Sequence, residues 1–209
     1  AMPPLPPIPM TDKRVALVVA SSDTVRVDFI TECLREVQKT MGDRIRLIGI
    51  GPPGEYLAEQ GLDIERNKNL SYQNFRLFLQ SLPHAIGLIP LDESHFNSCK
   101  SPIKFLDYAQ AGVPVICSDV TPYAQVVEDG VTGLLAINET ESWQGAIFDL
   151  VNNPDRRIAL ATAANEAANQ QLGSRHAATA WQSVVDHLAP FPVRSNAIDP
   201  SLAASLEIP

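Results

Sequence analysis

Cysteine is scarce in this chain: Cys33, Cys99 and Cys117 are the whole complement of 209 residues, an odd number with no CxxC spacing. That excludes a disulfide framework and fits thiols kept reduced in a cytoplasmic setting. Positive charge is also short, with 16 Lys and Arg against 24 Asp and Glu and a net charge of −8. The summed field repels phosphate backbones and anionic lipid, so neither nucleic acid nor a membrane surface is an expected partner. Long apolar runs are missing as well. VALVVA is far too short to span a bilayer, and AMPPLPPIPM has neither the basic nor the apolar region of a signal peptide. The glycines make no GxGxxG fingerprint, which argues against a nicotinamide cofactor. His95 and Cys99 stand four apart in an expected loop with no second pair, so no metal is expected and no cofactor is assigned.

What is present is a regular alternation. Residues 1–12 and 189–209 are proline-containing and aperiodic, and read as tails around a domain at 13–188. Apolar runs at Arg14–Ala20, Arg44–Ile50, Ala85–Leu91, Val113–Ser118 and Gly133–Ile137 read as strands, with a further short strand near residue 65. Segments of helical periodicity separate several of them, including VDFITECLREVQKTM and SYQNFRLFLQSL, the latter opened by Ser71 as a cap. Gly-Pro-Pro-Gly at 51–54 reads as a hard stop. After Ile137 the pattern is helical to about Leu188. Strands apolar on both faces and joined by helices predict an open parallel sheet covered on both sides, an α/β fold.

In such sheets ligands sit beyond the carboxyl ends of the strands. The stretch FNSCKSPIKFLDYAQAGVPVICSD lies at one of these ends. Ser101 followed by Pro102 predicts a helix start, with Ser101 as cap and Pro102 at the first helical position. Free N–H groups and the positive dipole end then join Lys100 and Lys104 to favour an anion. Asp107 shares a face with Lys104 and lies ~9 Å along the axis from that start. A carboxylate there can accept two hydroxyl hydrogen bonds from a ribose. The alternative, a solvated Lys104–Asp107 pair worth a few tenths of a kcal/mol, stays open on spacing alone.

The run from Pro90 to Leu135 resembles the nucleotide-sugar-binding half of group 1 glycosyltransferases with the two-domain GT-B fold. Their motif is Glu, seven residues, Glu, followed by a small residue, Gly, any residue, Pro and an apolar strand ending Ser-Asp. A bacterial polysaccharide and O-antigen subgroup is closer still, and Asn97, Lys100, Ser101, Lys104, Asp107 and Tyr108 match it one by one. The resemblance implies a Rossmann-like domain, the C-terminal half of a GT-B fold, that binds a nucleotide diphosphate sugar. Asp107 would hold the ribose hydroxyls while Lys100, Ser101 and the helix start meet the diphosphate. Retention of anomeric configuration is implied too, as is an N-terminal acceptor-binding domain, in cis or trans, without which this half does not turn over.

Three departures accompany the match. Cys99 stands where the family has its first Glu, and a thiol is no substitute for a carboxylate as acceptor. Asp107 is one methylene shorter than the second Glu. After the first strand, where many relatives carry Arg and Lys, the chain has Ser21, Ser22 and Arg26. Two alternatives follow: a non-catalytic Rossmann-like module that binds a protein partner, and half of a GT-B sugar-nucleotide epimerase. Asp119, at a strand end, is expected on the ligand side, and His84, His176 and His187 in packing or solvent.

Overall fold

The computed structural model describes residues 13–22, 28–171 and 174–188. The two proline-containing tails and Arg26 lie outside them. Contacts divide the chain into one unit ending at Leu172 and another beginning at Gly173.

The first unit is a six-stranded, wholly parallel sheet in the order β3-β2-β1-β4-β5-β6. The strands are β1 (Val15–Ala20), β2 (Ile45–Ile50), β3 (Ile64–Asn67), β4 (Ala85–Ile89), β5 (Val115–Ser118) and β6 (Leu134–Ala136). Because successive side chains of a strand point to opposite faces, β1 feeds two cores at once. Val15, Leu17 and Val19 join one with Ile30, Leu34, Trp143 and Ile147. Ala16 and Val18 join the other with Phe78, Leu79, Phe105 and Tyr108. This double burial is why the strands read as continuous apolar runs.

On the first face lie α1 (Asp28–Met41) and α7 (Thr140–Asn152), packed on each other. On the second, α5 (Ile103–Gln110) contacts α3 (Tyr72–Ser81) and α8 (Pro154–Gln171). The Ala-rich sequence of α8 lets it approach closely: Ala164 and Ala168 are buried, and Asn165 Nδ2 donates to the Ala109 carbonyl at 2.9 Å. The second unit contributes α9 (Ser174–Leu188), on which Trp181 and His187 are exposed.

Two local expectations change. Gly-Pro-Pro-Gly ends β2 and also opens α2 (Pro52–Glu59), with Pro52 and Pro53 in the first turn, where no N–H is needed. Gly54 belongs to a helix-on-strand contact, since a Cβ on Gly49 would stand 2.2 Å from the Gly54 Cα. His95 is not in a loop but opens the four-residue α4 (His95–Ser98), capped by Ser94. A second short helix, α6 (Tyr123–Val126), follows β5. Ser71 caps α3 as expected, its hydroxyl accepting from the Asn74 N–H at 3.3 Å.

Candidate functional site

The strand order reverses direction of growth between β1 and β4, and the crevice outside their carboxyl ends is where an open α/β sheet binds ligands. From β4 the chain runs through Pro90 and Leu91 into α4 and then α5. Leu91 is held at both of its backbone groups. Its N–H donates to Ser118 Oγ at 2.8 Å, and its carbonyl accepts from Asn138 Nδ2 at 2.9 Å. Ser118 ends β5 and Asn138 follows β6, so three strand ends fix the root of the β4–α5 loop.

Within that loop Asn97 is occupied locally: its N–H donates to Ser94 Oγ at 3.1 Å and its Nδ2 to the Asp92 carbonyl at 2.9 Å. Asn97 thus shapes the loop. Lys100 Nζ lies 5.0 Å from the centroid of the Phe96 ring, a cation–π contact that holds the ammonium on the loop. Cys99 and Ser101 are exposed. Ser101 does not cap the helix. The helix begins one residue later, at Ile103, with Pro102 at its N-cap and no side-chain cap bond, so the Ser101 hydroxyl is not used there. The shift also brings Asp107 nearer the N-cap, to about 7.5 Å along the axis at 1.5 Å per residue.

Asp107 is 6% exposed, which rules out the solvated surface pair. Its Oδ1 accepts a 2.7 Å hydrogen bond from Tyr72 Oη, across the α3–α5 contact. Burial raises the Asp107 carboxyl above the usual carboxylate range, opposed by the Tyr72 hydrogen bond and by the charge of Arg76. Neither Tyr72 nor Asn138 carries a sequence signal for this role. They reach the site only through contacts 35 and 47 residues apart in the chain.

Tyr108, matched one by one to the subgroup motif, is corrected by the structure. Its side chain is wholly buried, with Oη donating to the Val18 carbonyl at 3.3 Å and the ring edge-on to Phe75. One residue turns a helix by about 100°, so Tyr108 faces the sheet while Asp107 faces α3. The strand glycine Gly87 makes room for that ring, since a Cβ there would stand 2.6 Å from it. The helix ends as its sequence demands. Gly112 adopts φ 73°, and the N–H groups of Gly112 and Val113 return to the carbonyls of Ala109 and Tyr108.

Ser21 and Ser22 follow β1, the neighbour of β4, and the Ser21 N–H donates to the Ile50 carbonyl at 3.1 Å. Asp119 is exposed past the end of β5. Among the described residues no three His, Cys, Asp or Glu side chains form a group able to hold a metal, and no helix is long and apolar enough to cross a membrane.

The model of one protein family, Glycosyl transferases group 1, matches residues 13–153. No curated protein sequence matches the chain. Among solved structures, Anabaena HepE in complex with UDP and glucose superposes with a TM-score of 0.64 at 12% identity, covering 85% of this chain and 48% of that one. WaaG, a glycosyltransferase involved in lipopolysaccharide biosynthesis, gives 0.61 at 20% identity over 76% of this chain and 44% of its own. The C-terminal domain of the Francisella tularensis group 1 protein LpcC gives 0.61 at 13% identity, covering 77% of this chain and 87% of that domain. The chain therefore spans about half the length of HepE and WaaG and has the fold of a GT-B C-terminal half.

Proposed function

The chain belongs to the group 1 glycosyltransferases, and from that premise we propose that it holds the nucleoside diphosphate sugar for transfer to a glycan or lipid-linked acceptor. The observation that carries this reading is the placement of Asp107. A buried carboxylate stands one turn inside α5, the helix that follows the Lys100-bearing loop from the carboxyl end of β4. Asp107 accepts the ribose hydroxyls. Lys100, Lys104 and the first free N–H groups of α5 meet the diphosphate, and Ser101 adds a hydroxyl.

Sugar transfer breaks the bond between the anomeric carbon and the diphosphate, and negative charge grows on the departing oxygen. Cations and N–H groups already aimed at that oxygen stabilise the transition state more than the ground state. This electrostatic role needs only this chain's own groups. The acceptor, and the groups beside the reacting carbon, are held by the other half of a GT-B enzyme, so this half by itself binds donor without turnover. The setting is cytoplasmic and the pathway one of bacterial surface polysaccharide. The solved complexes of HepE with UDP and with UDP-glucose support a uridine donor for the fold.

Calorimetric titration with UDP, GDP, ADP, CMP and dTDP tests the reading. One nucleotide binds, and Asp107→Ala or Lys100→Ala weakens it by about 1–3 kcal/mol, the value of a hydrogen bond to a charged group. Binding indifferent to both substitutions, or no binding at millimolar ligand, refutes it. Exposed Cys99, at the position of the family's first Glu, favours the second reading, a module that has lost its donor and binds a protein partner. The absence of nucleotide binding would select that one.

A further inference from the structure

The carboxylate that the proposed donor site relies on is covered by another residue of the same chain. Tyr72, the first residue of α3, follows the Ser71 cap, and its hydroxyl donates to Asp107 Oδ1 at 2.7 Å. Asp107 is 6% exposed whereas Tyr72 is 57% exposed. The phenol therefore reaches from solvent over a carboxylate that solvent barely touches. Resting on the donor-site reading above, we propose that Tyr72 sets the affinity of the site by competing with the ribose of the donor for Asp107.

The competition follows from counting hydrogen bonds. Tyr72 Oη occupies Oδ1, so a ribose that bonds both oxygens of Asp107 needs the Tyr72 hydroxyl to move aside. A nucleoside with two free hydroxyls then makes two bonds to the carboxylate where one is broken, a net gain of one. Moving the phenol takes little packing with it, because most of the ring is already in water. The Arg76 guanidinium, one turn along α3 and 5.9 Å from the ring centroid, keeps positive charge near the carboxylate through the exchange. Tyr72 thus shields a buried carboxylate from being left without a partner, and weakens every ligand that must take its place.

The test is calorimetric titration of UDP, and separately of inorganic pyrophosphate, into the full chain and its Tyr72→Phe, Tyr72→Ala, Asp107→Ala and Tyr72→Phe/Asp107→Ala variants. Loss of one competing hydrogen bond tightens UDP about five- to tenfold in Tyr72→Phe, with Tyr72→Ala changing in the same direction. Pyrophosphate, which has no ribose, binds all the variants alike. The gain disappears when Asp107 is already Ala, the non-additivity expected of groups in contact. Unchanged or weaker UDP binding in Tyr72→Phe overturns the proposal. So does a gain that persists without Asp107, or one shared by pyrophosphate. Asp107→Ala weakening UDP beside an inert Tyr72→Phe sinks the competition alone, while Asp107→Ala without effect on UDP sinks the ribose contact itself. Failure of both the unmodified chain and Tyr72→Phe to bind UDP also overturns the proposal, since the uncovered carboxylate then holds no ribose.

Discussion

Replacing Ser118 by Ala removes half of the clamp on Leu91 and tests whether the loop is anchored as described. Ser118 is wholly buried at the end of β5, and its Oγ accepts the Leu91 N–H at 2.8 Å. The substitution deletes one oxygen and leaves a buried N–H without an acceptor, a penalty of about 1–3 kcal/mol. The void is too small to add much. At roughly 2–4 °C per kcal/mol for a domain of this size, a loss near the middle of that range lowers Tm by about 4–8 °C. Asn138→Ala removes the donor on the other side of Leu91. The Asn138 amide is itself poorly satisfied, its buried Oδ1 having no partner among the described residues, so the cost is smaller, about 0.5–1.5 kcal/mol. Urea unfolding at neutral pH, with thermal unfolding alongside, measures both variants. Because Lys100 stands on the loop rooted at Leu91, Ser118→Ala also weakens UDP in the calorimeter. A Ser118→Ala chain within about 0.5 kcal/mol of the unmodified one, with equal UDP affinity, would refute the clamp as the device that shapes the site.

Gly87→Ala forces a methyl within 2.6 Å of the Tyr108 ring, which is hemmed in by β4, Phe75 and its bond to Val18. The expected loss of about 1–3 kcal/mol, read by urea unfolding, is largely recovered in Gly87→Ala/Tyr108→Leu if ring contact is the cause. Asp107 carries a pH signature. Its folded pKa is raised by burial above the ordinary 3.8, so the stability it contributes is full below 3.8 and is lost as pH rises through the folded value. Urea unfolding across pH should therefore show Asp107→Asn gaining on the unmodified chain as pH rises from about 3.8. A flat difference, or one of opposite sign, contradicts a raised carboxyl.

The strands were legible because a parallel sheet buried on both faces leaves no polar position to confuse the pattern: β1 reads VALVVA, and its alternate residues serve two cores. Helix ends were legible where one residue carries the geometry, as Gly112 does with φ 73° and Ser71 with its cap. Gly-Pro-Pro-Gly reads along the chain as a stop alone, yet the same residues that end a strand also suit the first turn of a helix. The Ser101 cap failed for a related reason. Pro102 took the N-cap itself, and the helix began at Ile103.

Matching a motif residue by residue treats neighbours alike, but a helix sends Asp107 toward α3 and Tyr108 into the sheet. The sequence by itself determined the layered α/β class, the strand ends at which the candidate site lies and the residue types gathered there. These depend on local periodicity, turn residues and charge, which are all written along the chain. Only the tertiary structure decided that Asp107 is buried, that Tyr72 covers it and that Ser118 and Asn138 grip Leu91. Each of those is a contact between segments far apart in the chain, formed when the helices and strands pack, and no local pattern encodes it.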